Sequence, residues 1–137
     1  MHAATFQVDF AAQRPLAEFP VVQRICEEIQ TGPYRFPGAT RLGRDHVLFE
    51  YILGGAARFT DADGARPVPA GHGFLCRCKD PAIVYEREPA VTDPLYLLFV
   101  VITGESAFAL LDGWRARHGP VFRLPSTGGV IAELRRW

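Results

Sequence analysis

Residues 47–78 read "VLFEYILGGAARFTDADGARPVPAGHGFLCRC", and the fold is decided here. Val47 to Leu53 is a β-branched and aromatic run that ends at Gly54-Gly55, and Ala57 to Thr60 carries it to the turn Asp61-Ala62-Asp63-Gly64. Turn residues between two such runs mark a hairpin. Ala65 to Val68 follows, then the turn Pro69-Ala70-Gly71 and a strand at Phe74 to Lys79. Further along, Asp80-Pro81 turns the chain into a strand at Ala82 to Arg87. A loop rich in Pro and Asp then leads to another, Leu95 to Ile102. Strands recurring every ~8–12 residues between turn signals have the rhythm of an antiparallel sandwich or barrel.

That rhythm stops at Thr103-Gly104. Ala107, Leu110, Leu111 and Trp114 recur at helical spacing, with Glu105 in the first turn, Arg115 and Arg117 in the last, and Gly119-Pro120 beyond. A helix over 105–117 is predicted. Val121 to Leu124 reads as a short strand, and Val130, Ile131, Leu134 and Trp137 open a second helix within 126–137. Residues 1–18 read as an N-terminal arm with one strand through Phe6, Val8 and Phe10. Val21, Val22, Ile25, Cys26 and Ile29 fit helical spacing and a pleated strand equally well. The division expected is an arm with its first elements over 1–32, a barrel over 33–125 and the start of a helix over 126–137.

Composition narrows the function classes. The chain of 137 residues fits one domain, and 48% hydrophobic residues fill an ordinary core. Lys plus Arg equals Asp plus Glu, 15 against 15, so the excess positive charge that nucleic-acid binding draws upon is missing. The longest apolar run, Leu95 to Ile102, falls far short of the roughly 20 residues a helical membrane span needs, and the N-terminus lacks the pattern of an export signal. No membrane partner and a cytoplasmic address are expected. Three cysteines, an odd number, argue for reduced thiols.

His72, Cys76 and Cys78 sit close enough in sequence to suggest a metal site. Zinc takes four ligands, commonly as two close pairs, and a single C-x-C falls short of that template, leaving a fourth ligand to come from Cys26, His46 or His118. The strand reading places Phe74, Cys76 and Cys78 on a buried face and Leu75, Arg77 and Lys79 on the other. No thiol is paired with a histidine in the linear sequence, and Ser106 and Ser126 lie in no nucleophile elbow. Neither a metal nor any other cofactor is expected, and the chain reads as not an enzyme. Glu27-Glu28 and Tyr85-Glu86-Arg87-Glu88 read as solvated faces. The remaining aromatic strand residues, among them Phe49, Tyr85 and Phe99, are core with the capacity to line a ligand pocket.

Taken together, residues 41–125 resemble the N-terminal sensing domain of AraC-type transcription regulators. The resemblance lies in order and spacing: an apolar strand ending in a glycine pair (Leu48 to Gly55), a hairpin (Asp61 to Gly64) and a Pro-x-Gly turn (Pro69 to Gly71) come first. Tyr85, an aromatic strand closing on Gly104, the helix at Ala107 to Trp114 and the strand Pro120 to Leu124 complete it. The resemblance implies a mainly β, cupin-like jelly-roll barrel with one or two C-terminal helices, acting as an effector-binding and dimerisation domain in transcription regulation. A small-molecule effector would bind Arg41, Tyr85, Leu97 and Phe99, the last standing where the family often carries Trp. The partners implied are a second copy in a homodimer and DNA, the latter only through a helix-turn-helix part beyond residue 137. Two alternatives stand beside it: a ligand-free interaction domain with a solidly packed barrel, and a small cupin-type metalloenzyme, an isomerase or dioxygenase. Enzymatic cupins present H-x-H with a following Glu and a later His around a metal, and this sequence contains no H-x-H.

Overall fold

The computed structural model describes residues 2–10 and 19–137, and side chains from residue 5 onward within them. The polar stretch of the expected arm, 11–18, lies outside the described residues. Among the described residues, ten strands and two α-helices follow in order: β1 (His2–Asp9), β2 (Val21–Gln30), β3 (Arg35–Pro37), β4 (Val47–Gly54), β5 (Ala56–Asp61), β6 (Gly64–Pro69), β7 (His72–Arg77), β8 (Val84–Arg87), β9 (Leu95–Thr103), α1 (Glu105–His118), β10 (Val121–Arg123) and α2 (Gly129–Arg135). All strand pairs are antiparallel, in a six-stranded sheet ordered β1-β2-β9-β4-β7-β10 and a four-stranded sheet ordered β3-β8-β5-β6. The two sheets face one another as a jelly-roll barrel, the fold class expected from the sequence. β6 forms one edge of the smaller sheet, opposite β3, and carries Pro67 and Pro69.

Side-chain alternation divides the larger sheet into two buried faces. On β4, Leu48 and Ile52 enter the core between the sheets, where Phe59, Phe74, Cys76, Leu95 and Leu97 meet them. Phe49 and Tyr51 point the other way, onto Leu98, Val100 and Ile131 of α2, while Val47 packs against Ala107 and Leu111 of α1. Cover on both faces explains why β4 and β9 are nearly continuous apolar runs rather than alternating ones. Phe74, Cys76 and Cys78 are buried, with Leu75, Arg77 and Lys79 on the more exposed side, as the strand reading expects.

Several details differ from the sequence reading. The ambiguous segment is strand β2, paired along its length with β9. His72, expected in a turn, opens β7 opposite Arg123. Strand β8 begins at Val84 because Asp80 folds the preceding residues into a turn, its side chain accepting from the Ala82 amide at 2.9 Å. Glu27 and Glu28, expected on a solvated face, are 6% and 8% exposed. Leu110, a member of the helical stripe, is 62% exposed.

Helix α1 starts where only glycine fits. Gly104 has φ +107, and a Cβ there would stand 2.2 Å from the Phe19 carbonyl oxygen. The helix is tied to the hairpin through Asp61, whose carboxylate accepts from Arg66 at 3.0 Å and Arg115 at 3.4 Å. Ile131 of α2 is fully buried, and Arg135 donates to the Glu27 carboxylate, which also accepts from Thr5 at 3.2 Å and Tyr96 at 3.0 Å.

Candidate functional site

The barrel interior is filled at one end and open at the other. Leu95, Leu97 and Ile52 lie among Phe59, Val68 and Phe74 in the filled half. Two to four residues along the same strand faces, Phe99 and Val101 of β9 and Leu48 and Glu50 of β4 line a cavity of about 730 Å³. Strand register brings these together, since Phe99 is opposite Glu50 and Val101 opposite Leu48. The size is that of small-molecule sites, which run roughly 300–1,000 Å³.

Arg41 reaches the cavity because the chain passes tightly beside the loop after β7. A Cβ on Gly38 would overlap the Asp80 carbonyl at 1.9 Å, so glycine alone permits the approach, and a single turn, Gly38–Thr40, then delivers Arg41. Its guanidinium donates to the Tyr85 hydroxyl at 2.5 Å and lies over the Phe36 ring, 4.5 Å from its centroid. Phe36 and Tyr85 are stacked with centroids 5.3 Å apart. Among the described residues, no carboxylate makes an ion pair with Arg41. A guanidinium on aromatic faces with no carboxylate is oriented and electrostatically available to an anion.

Glu50 is 1% exposed, on the inward face of β4 between Leu48 and Ile52. The Tyr34 hydroxyl donates to its Oε2 at 2.8 Å, whereas Oε1 has no partner. Burial pushes the carboxyl up to about 8; the Tyr34 hydrogen bond and Arg41 oppose this, and Glu28 adds to it. At neutral pH the group therefore holds its proton and serves as a donor. Burial, and then the charge of Glu50, push Tyr34 and Tyr85 upward as well, so both phenols stay protonated. Glu28, on β2 beyond β9, accepts from Gln30 at 2.7 Å.

At the rim, Cys78 Sγ lies 3.3 Å from His46 Nδ1, a pairing that spans 32 residues and is invisible in the linear sequence. Burial raises the thiol above its ordinary value and holds the imidazole below its own. Both are neutral near pH 7, which is the wrong state for a thiolate nucleophile. Cys76 is enclosed in the barrel core, its thiol pushed well up by burial, and His72 is at the far end of β7. The residues present do not fit a metal centre. Leu48, Glu50, Phe74 and Cys76 occupy the inward positions of β4 and β7, and no group of three or more His, Cys, Asp or Glu among the described residues is arranged to hold an ion.

Of the four residues singled out from the sequence, Arg41, Tyr85 and Phe99 line the cavity. Leu97 is fully buried in the filled half and does not line it. Glu50, Tyr34 and Glu28 were not singled out. Parity would have found Glu50, because it shares a strand face with Leu48 and Ile52, and an acid on an apolar face needs a reason.

No protein-family model matches the chain, and no curated protein matches it. Solved structures do. Protein YhaK from Escherichia coli superposes with a TM-score of 0.54 at 19% identity, over 74% of this chain and 45% of that one. Bacterial pirin YhhW from Escherichia coli, solved in complex with nickel(II), gives 0.50 at 22% identity over 76% and 44%. The Cupin_2 domain of an XRE family transcriptional regulator from Enterobacter cloacae gives 0.41 at 9% identity over 60% and 94%. At these identities the likeness is one of fold alone, and the chain spans less than half of the first two proteins.

Proposed function

We propose that this chain is the effector-binding domain of an AraC-type transcription regulator: a cytoplasmic, homodimeric, non-catalytic sensor whose DNA contacts belong to a separate helix-turn-helix part. The observation that carries the reading is the cavity itself, where Arg41 has no carboxylate partner among the described residues and a buried Glu50 keeps one oxygen unbonded. An unsatisfied buried polar atom costs about 1–3 kcal/mol, which a ligand oxygen bonded to Glu50 would recover.

Binding would be transmitted by two elements. Phe10 lines the cavity and meets Trp137 edge-to-face at 6.0 Å. β2 presents Arg24 and Glu28 to the cavity while Glu27, on its other face, grips Arg135 of α2. A ligand favouring one arrangement of these elements shifts the equilibrium of whatever α2 leads into.

A thermal-shift screen against a metabolite panel tests the reading, with at least one compound raising the midpoint and Trp137 emission changing on binding. Persistent silence overturns it. Stoichiometric Fe, Mn or Zn in the purified protein would instead favour a cupin metalloenzyme, and a monomer in light scattering would remove the dimer.

A further inference from the structure

The geometry points to a small carboxylic acid with an apolar or aromatic body as the ligand of this cavity, its carboxylate paired with Arg41 and a ligand oxygen accepting a hydrogen bond from Glu50. The assignment rests on the effector-binding reading and names the chemistry of that same site.

Three observations converge on it. The Arg41 guanidinium is held in place by Tyr85 and Phe36 without a carboxylate, so its charge is free for a planar anion, which a guanidinium receives through two parallel hydrogen bonds. Glu50 lines the cavity, and its Oε1 is buried without a partner, while Oε2 is already taken by Tyr34. Phe36, Phe99, Leu48 and Val101 supply apolar wall between these two polar points. A sugar would leave the guanidinium without a counter-charge. An amine would face Arg41 itself.

The state of Glu50 separates anion from cation. The groups facing it are Glu28 on β2, Tyr34 ahead of β3, Arg41, Cys76 on β7 and Tyr85 on β8, with His46 at the head of β4 also on the cavity wall. Arg41 is the cation that bears on Glu50, while Arg24, paired with Asp9, and Arg44 also line the cavity and burial holds His46 below its ordinary value. A bound carboxylate favours the protonated form of Glu50 and raises it above its free value of about 8. Affinity is therefore level below that pH and weakens above it, by up to about tenfold per unit for one linked proton. A bound amine reverses the sign.

The experiment is calorimetric titration of the 137-residue chain with benzoate and 4-hydroxybenzoate, against benzamide, benzylamine and glucose, from about pH 6 to pH 9. A carboxylate is expected to bind, with benzamide and Arg41→Met each weakening the interaction about ten- to a hundredfold. Arg41→Lys should restore part of the loss, and Glu50→Gln should bind the carboxylate with no pH dependence above neutrality. Circular dichroism melts confirm that the variants fold. Binding of benzylamine or glucose without the carboxylates overturns the assignment and leaves the effector-binding reading standing. Silence of every probe at millimolar concentration overturns both.

Discussion

Glu27 and Glu50 sit on the two faces of one sheet, equally removed from water and oppositely treated. Glu27, on the outer face, receives Arg135, Tyr96 and Thr5. Glu50, on the inner face, receives Tyr34 alone and leaves Oε1 bare. A buried carboxylate with several donors and a cation is a clamp, fixing α2 and β1 to β2. A buried carboxyl with one donor retains bonding capacity inside the fold, which becomes useful when something else arrives. Burial alone therefore does not reveal what an acid is for; its count of satisfied oxygens does.

The sharpest way to expose this difference is Glu50→Gln. Between its ordinary value of 4.5 and about 8 the folded chain holds a proton that the unfolded chain has released. Stability of the native protein consequently falls as pH rises through that window and levels off above it. The glutamine variant lacks this loss, so urea titrations should find it comparable at pH 5 and more stable than the parent by about 2–4 kcal/mol at pH 9. A parent whose stability does not fall with pH would erase the contrast.

Glu27→Gln should act in the opposite direction, because it removes the ionic partner of Arg135. Arg135 is 40% exposed and keeps much of its hydration, so the expected cost is about 1–2 kcal/mol. Hydrogen exchange should show the loss concentrated in α2. Tyr34→Phe gives the smallest effect, about 1 kcal/mol by chemical denaturation, and removes the last internal donor to Glu50. Without that bond the folded Glu50 carboxyl is raised further, so the pH-dependent loss of stability should extend to higher pH than in the parent.

The same contrast explains how far the sequence could be read. The hairpins from Val47 to Arg87 were legible because Asp61 to Gly64 and Pro69 to Gly71 punctuate them locally. β2 was ambiguous because Ile25 to Glu28 are buried on both faces, which removes the two-residue alternation that identifies a strand. Its acids looked solvated because their partners are remote: Arg135 lies 108 residues from Glu27. Arg41 and Tyr85 were both noticed, yet their contact, across 44 residues, depends on the tight passage at Gly38. Leu97 shares its strand face with Phe99 and falls in the filled half, because register decides which end of that face opens.

The β6 edge of the small sheet has a consequence for how the molecule behaves in a crowd. A bare strand edge offers amide hydrogens to which any passing extended chain can add, the first step of fibre growth. On β6, proline occupies positions 67 and 69, two residues apart and so on one side of the strand. Proline is tolerated at an edge when its missing hydrogen would have faced outward, so the row that an incoming strand must read is interrupted twice. The β6 margin of the barrel is thereby closed to strand addition along that row, and crowding gives these molecules no ladder to extend there.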